Sequence, residues 1–121
     1  MASIAAIDAQ IKELYETRKR LEKEQAVAKA SIALAGCETG EGVVLYCVHD
    51  LFPERAVSYH RTRAEAMTAC ELRNKETAYE TGPPARVKPV LFFYEDAIAI
   101  AMANPSWAPL EAHQIDSTPG L

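Results

Sequence analysis

Long apolar runs, paired cysteines and glycine-rich loops are all missing from this chain, and each absence removes a class of function. No window reaches 18 residues without a polar one, so no membrane-spanning helix is predicted. The chain turns polar within its first eight residues and no signal-type apolar core follows, which predicts no cleaved leader. The cysteines Cys37, Cys47 and Cys70 are odd in number and form no C-x-x-C pair. That pattern predicts reduced thiols in a cytoplasmic protein rather than a secreted disulfide frame. There are only five glycines, and the run GCETGEG (36–42) has neither the lysine nor the preceding strand of a phosphate-binding loop. Basic excess is missing too: 13 Lys and Arg stand against 17 Asp and Glu, for a net charge of −4. A generic nucleic-acid binder is thereby disfavoured, and only a local basic patch remains open. No internal repeat and no low-complexity tract is present. What remains is an ordinary globular composition, 49% hydrophobic and 25% charged, in 121 residues. That is one domain with enough chain to bury a core.

The first 36 residues carry the clearest pattern. Ile4, Ile7, Ile11, Leu14, Leu21, Ala28, Ile32 and Ala35 recur at steps of three, four or, across the polar residues Arg18 and Gln25, seven. This is heptad spacing, with Ile4, Ile11 and Ile32 at a and Ile7, Leu14, Leu21, Ala28 and Ala35 at d. Arg18 and Gln25 are polar a residues. Ser3 suits the N-cap and Gly36 the position just past the end. One helix over 4–35 would run about 48 Å, whereas the remaining chain makes a body only about 30 Å across. An apolar stripe on the overhang is a liability in water, and a partner helix is its simplest cover. A break near Ala26–Ala30 would fold the helix back instead, but alanine favours continuation.

The body reads as β-β-α-β followed by an ambiguous segment. VVLYCVH (43–49) is β-branched and aromatic with apolar residues on both faces, as in a central strand. DLFPER (50–55) breaks it, and AVSYHR (56–61) returns as an antiparallel second strand. Thr62 and Glu65 form a capping box that opens a helix at about 63–79, with Ala66, Met67, Ala69, Cys70 and Ala78 on its apolar side. Gly82, Pro83 and Pro84 stop it. ARVKPVLFFYE (85–95) is a third strand whose Pro89 suggests that its first half is an edge or a bulge. In DAIAIAMAN (96–104) the alternation of Ile and Ala suits a strand. Asp96 as an N-cap, the alanines and Asn104–Pro105 suit a helix better. The aromatic run Phe92, Phe93, Tyr94 is expected in the core. The tail from Pro105 is irregular, docked through Trp107 and Leu110.

These elements predict an α+β protein: a long N-terminal helix (1–36), a body (37–104) with a small antiparallel sheet and a covering helix, and an irregular C-terminal tail (105–121). Six residues of the first helix are the expected partner interface: Ile4, Ile7, Ile11, Leu14, Arg18 and Leu21. The expected assembly is a homo-oligomer through that helix.

The strongest ligand candidate is ERAVSYHRTR (54–63). Arg61 and Arg63 flank the start of the second helix, where free N–H groups and the dipole attract anions, and arginine forks grip phosphate or carboxylate. Arg55, Tyr59 and Arg86 complete the candidate set for a small anionic ligand such as a nucleotide, or for a nucleic-acid backbone. Pairing of these charges with Glu54, Glu65 and Glu71 is the competing explanation. A zinc set can be drawn from Cys47, His49 and His60, but Cys37, Cys70 and His113 are too scattered to complete it. A Cys–His nucleophile has no local signature, and Glu95–Asp96 is explained by capping. No metal, cofactor or catalytic residue is predicted. The expected function is therefore non-catalytic binding of a partner protein, of the inhibitor or adaptor kind common among small phage-encoded chains. From Glu95 onward the chain has four acids and no Lys or Arg, so a basic-to-acidic contact between subunits is conceivable on charge alone.

Overall fold

The computed structural model describes residues 3–78 and 82–115. Helix α1 runs unbroken over Ile4–Leu34. Its sequence contains neither glycine nor proline, and Ser3 Oγ accepts a hydrogen bond from the Ala6 amide at 3.1 Å. Ala35 caps the far end and Gly36 turns the chain with φ +94°. A side chain there would be strained, and its Cβ would lie 2.8 Å from Ile115. No break occurs near Ala26–Ala30.

Strands β1 (Val43–Leu51), β2 (Glu54–His60) and β3 (Arg86–Phe92) form one antiparallel sheet in the order β2-β1-β3. The hairpin is tighter than the sequence suggests. The segment 50–55 does not interrupt pairing: Asp50 faces Arg55, Leu51 faces Glu54, and only Phe52 and Pro53 form the loop. The cross-strand ion pair of Arg55 with Asp50, 3.0 Å, holds the two ends of that segment in register. A register shift between Val48 and His49 marks a bulge beside β2. β3 is an edge strand, which is where Pro89 is tolerated.

Helix α2 (Arg63–Glu76) starts on Thr62, whose Oγ1 accepts from the Glu65 amide at 3.2 Å. It ends three residues short of position 79, which itself lies outside the described residues. Helix α3 (Tyr94–Met102) confirms the helical choice for this segment but begins two residues before Asp96. Phe93, not Asp96, is its N-cap. Glu95 and Asp96 sit in the first turn, where the helix dipole favours acids. The strand accordingly stops at Phe92 rather than 95.

β1 explains the layering. Residues 43–48 are buried on both faces, so the sheet needs two covers rather than one. Val43 and Leu45 pack with Ala30 and Leu34 of α1, with Ala97, Ile98 and Ala101 of α3, and with Trp107 and Leu110 from the tail. Tyr46 and Val48 pack on the opposite face with Ala66 and Cys70 of α2 and with Ala85. Met67 and Ala78 do not join this core and remain exposed. Of the aromatic run only Phe92 reaches the core, half-buried against the cluster beneath α1 and α3, whereas Phe93 is 79% exposed and Tyr94 is exposed. The change from strand to helix at Phe93 breaks the alternation that would have turned these rings inward. Among the described residues no helix is long and apolar enough to cross a membrane.

Candidate interaction surface

Only Ala30, Ala33 and Leu34 of α1 are buried. The half-buried Ala26 marks where the body begins to touch the helix. From Ile4 to Gln25 the helix projects roughly 33 Å at ~1.5 Å per residue. Along it Ile4 is 80% and Leu14 70% exposed, and Ile7, Ile11, Tyr15 and Leu21 are exposed as well. The stripe does not turn into the body at its base. Ile32, an a residue level with the buried turns, is itself exposed. At about 100° per residue, the contact face of Ala26, Ala30, Ala33 and Leu34 lies roughly a third of a turn around the helix from the stripe. The body thus grips α1 by small residues on one side and leaves the whole heptad stripe facing away. Arg18, at an a position, pairs its guanidinium with Glu22 four residues on, Nε–Oε1 3.0 Å, with both side chains exposed.

The five residues expected to grip an anion are dispersed. Arg61 is buried and serves the fold: its Nη1 donates to the Ala33 carbonyl at 2.9 Å and to the Ala108 carbonyl, and its guanidinium stacks 5.1 Å from the Trp107 ring. Tyr59 lies opposite Cys47 and meets the Phe92 ring edge-on at 5.3 Å, on the sheet face covered by α1 and α3. Arg63 stacks over Tyr46, 5.3 Å from the ring centre, on the α2 face. Arg55 pairs with Asp50 at the hairpin. Arg86 lies on the other edge strand, opposite His49. In one continuous strand Tyr59, Arg61 and Arg63 would share a direction. β2 ends at His60, so the last two arginines follow a different path.

A second arginine joins the hairpin instead. Arg73 of α2 reaches Asp50 at 2.9 Å, and Asp50, Arg55, Arg73, Asn74 and Pro84 line a cleft of about 250 Å³. Arg73, and secondarily Arg55, hold the Asp50 carboxyl below the usual carboxylate range. Asn74 closes the floor by pairing twice with the backbone of Ala85, at 2.8 and 3.2 Å. The cleft therefore contains arginines whose neighbour is already an acid.

The zinc candidates also part company. Cys47 faces Tyr59, while His60 lies opposite Tyr46 on the other side of the sheet. Among the described residues no three His, Cys, Asp or Glu side chains are grouped to hold a metal. All three cysteines are buried and none is in a disulfide, and burial pushes the Cys47 thiol up. Burial likewise lowers His60, whose Nε2 sits 2.8 Å from Ser58 Oγ.

Two features had no signal in the sequence. Nothing in ELRNKE marks Arg73 as the partner of an aspartate 23 positions earlier, and nothing before Ala33 announces that Arg61 closes its helix. The exposed run of Ile4 to Leu21, by contrast, is visible from spacing alone. Comparison with protein-family models, with curated proteins and with solved structures found no match for this chain.

Proposed function

We propose that this protein is a non-catalytic interaction protein that assembles with copies of itself through α1 and presents its α+β bodies to a partner protein, as an inhibitor or adaptor does. The observation that supports this reading is the exposed stripe of Ile4, Ile7, Ile11, Leu14 and Leu21, interrupted by Arg18, on an unbroken helix whose contact with its own body lies on another side. Soluble monomers seldom leave such a patch open to water, and a heptad stripe matches the seam of a helix pair. Buried thiols outside any disulfide suit a reducing compartment, which makes the cytoplasm the proposed location. The anionic-ligand reading has less support, because Arg55, Tyr59, Arg61 and Arg63 are engaged separately in the fold and Arg86 lies on the opposite edge strand.

Native mass spectrometry of the protein, wild type and with Ile11→Asp plus Leu14→Asp, tests the proposal. Wild type is expected as multiples of 13.3 kDa and the variant as single chains. Single chains in both samples would remove the reading.

A further inference from the structure

We infer that two copies of α1 pair antiparallel, with Ile11 of each chain packed on the partner's Leu14 and the two-fold axis passing between Lys12 and Glu13. This rests on the assembly reading proposed above and specifies its geometry.

Charge is the first ground. Residues 4–16 carry three acids (Asp8, Glu13, Glu16) and one base (Lys12), whereas residues 17–25 carry four bases (Arg18, Lys19, Arg20, Lys23) and two acids (Glu22, Glu24). The helix thus has an acidic half and a basic half, both exposed. A parallel pair sets like against like along its length. An antiparallel pair in this register places Lys12 level with the partner's Glu13 and the basic run 18–20 level with the partner's uncharged residues 5–7, and it also opposes the two helix dipoles.

Arg18 is the second ground. In a parallel, in-register pair the two Arg18 side chains meet in the seam. In the antiparallel register each Arg18 lies across from the partner's Ile7, Ile4 lies across from the partner's Leu21, and every layer contains an isoleucine or a leucine. The Arg18–Glu22 contact fits this arrangement: the stem can cover an isoleucine while the charge stays on Glu22. The flanking residues agree, since Asp8 falls beside the partner's Tyr15. A slip of one heptad toward the body would bring Asp8 beside the partner's Glu22 and pair Ile4 with the partner's Ala28.

The consequence is a rod with one body at each end. The two Ala30 anchors stand about 50 Å apart at ~1.5 Å per residue. Two identical bodies held at that spacing engage two copies of a partner, or two sites on one, with the avidity of a tethered pair.

Spin labels on the outer face test this. Ala9→Cys and Lys23→Cys are solvent-facing, and the native thiols are buried. In the proposed pair the Ala9 labels are offset by about 10 Å along the axis and the Lys23 labels by about 31 Å. Both gain a similar lateral separation. The mass of each labelled protein is measured first, with its far-UV spectrum as a check on folding. A dimer in which the Lys23 distance exceeds the Ala9 distance by on the order of 15 Å is expected. A dimer with equal distances overturns this orientation while leaving self-assembly intact. A monomeric mass overturns both.

Discussion

Arg61 Nη1 stands 2.9 Å from the carbonyl oxygen of Ala33, one of the carbonyls that α1 leaves unpaired at its C-terminus. The last turn of α1 contains no basic residue of its own. An arginine distant in sequence supplies the positive charge that the end of the dipole attracts, and the same group ties down the tail through Ala108. Cys37 Sγ, 3.7 Å from the Arg61 carbonyl, adds a further tie between the same segments.

Arg61→Met is therefore expected to destabilise the fold by about 2–4 kcal/mol, because the buried Ala33 carbonyl and the part-buried Ala108 carbonyl lose their donor. Arg61→Lys should restore part of this, since a lysine supplies charge but not the fork. Urea unfolding followed in the far ultraviolet measures both. An unchanged midpoint for Arg61→Met would mean that the arginine is free for another role.

Gly42 and Gly40 separate close approach from open space. A Cβ at Gly42 would lie 2.3 Å from the Phe92 carbonyl oxygen, whereas at Gly40 it meets nothing within 4 Å. Gly42→Ala is expected to cost about 1–3 kcal/mol by forcing the start of β1 from β3. Gly40→Ala should be close to neutral. Thermal unfolding of the pair distinguishes them, and equal midpoints would contradict the packing of that strand end.

His60 makes stability depend on pH. Burial lowers its pKa in the folded state, with Glu65 opposing by a smaller amount. The unfolded chain then binds a proton at higher pH than the folded one does, so stability rises with pH through this window. Acidifying from about pH 7.5 to about 5.5 crosses the ordinary histidine value and should lower the melting temperature. In His60→Gln this part of the slope should disappear. A slope of equal size in that variant would place the effect on other groups.

Much of the fold is legible in the sequence because it follows from local rules. The Thr62 cap, Gly36 at the end of α1, Pro89 on an edge strand and the two apolar faces of β1 are short-range requirements, and each is met where the pattern places it. Boundaries shifted where tertiary contacts outweighed local preference. Asp50 and Arg55 carried the hairpin pairing through a segment read as a break, and α3 began before its apparent cap. The ligand cluster was misleading for a related reason. Arg55, Tyr59, Arg61 and Arg63 are near in sequence, but strand pairing turned Tyr59 to one face, the start of α2 carried Arg63 to the other, and Arg61, past the end of β2, reaches Ala33 and Ala108. The α1 stripe survived intact, because a projecting helix has no tertiary context to override its period.

The projecting helix should also report its own partner. Residues 4–25 have strong helix formers, yet a single helix of this length is marginal in water. Ile11→Asp with Leu14→Asp is expected to lower helical ellipticity while the near-ultraviolet signal of the body, dominated by Trp107, stays unchanged. Loss of both signals would show that the stripe supports the body as well.

Sedimentation equilibrium of the unmodified protein, from sub-micromolar to hundreds of micromolar, tests the central claim most directly. Occupancy of the α1 stripe by a second chain predicts a mass that rises with concentration to twice the 13.3 kDa of one chain. A single-chain mass across the whole range would contradict it.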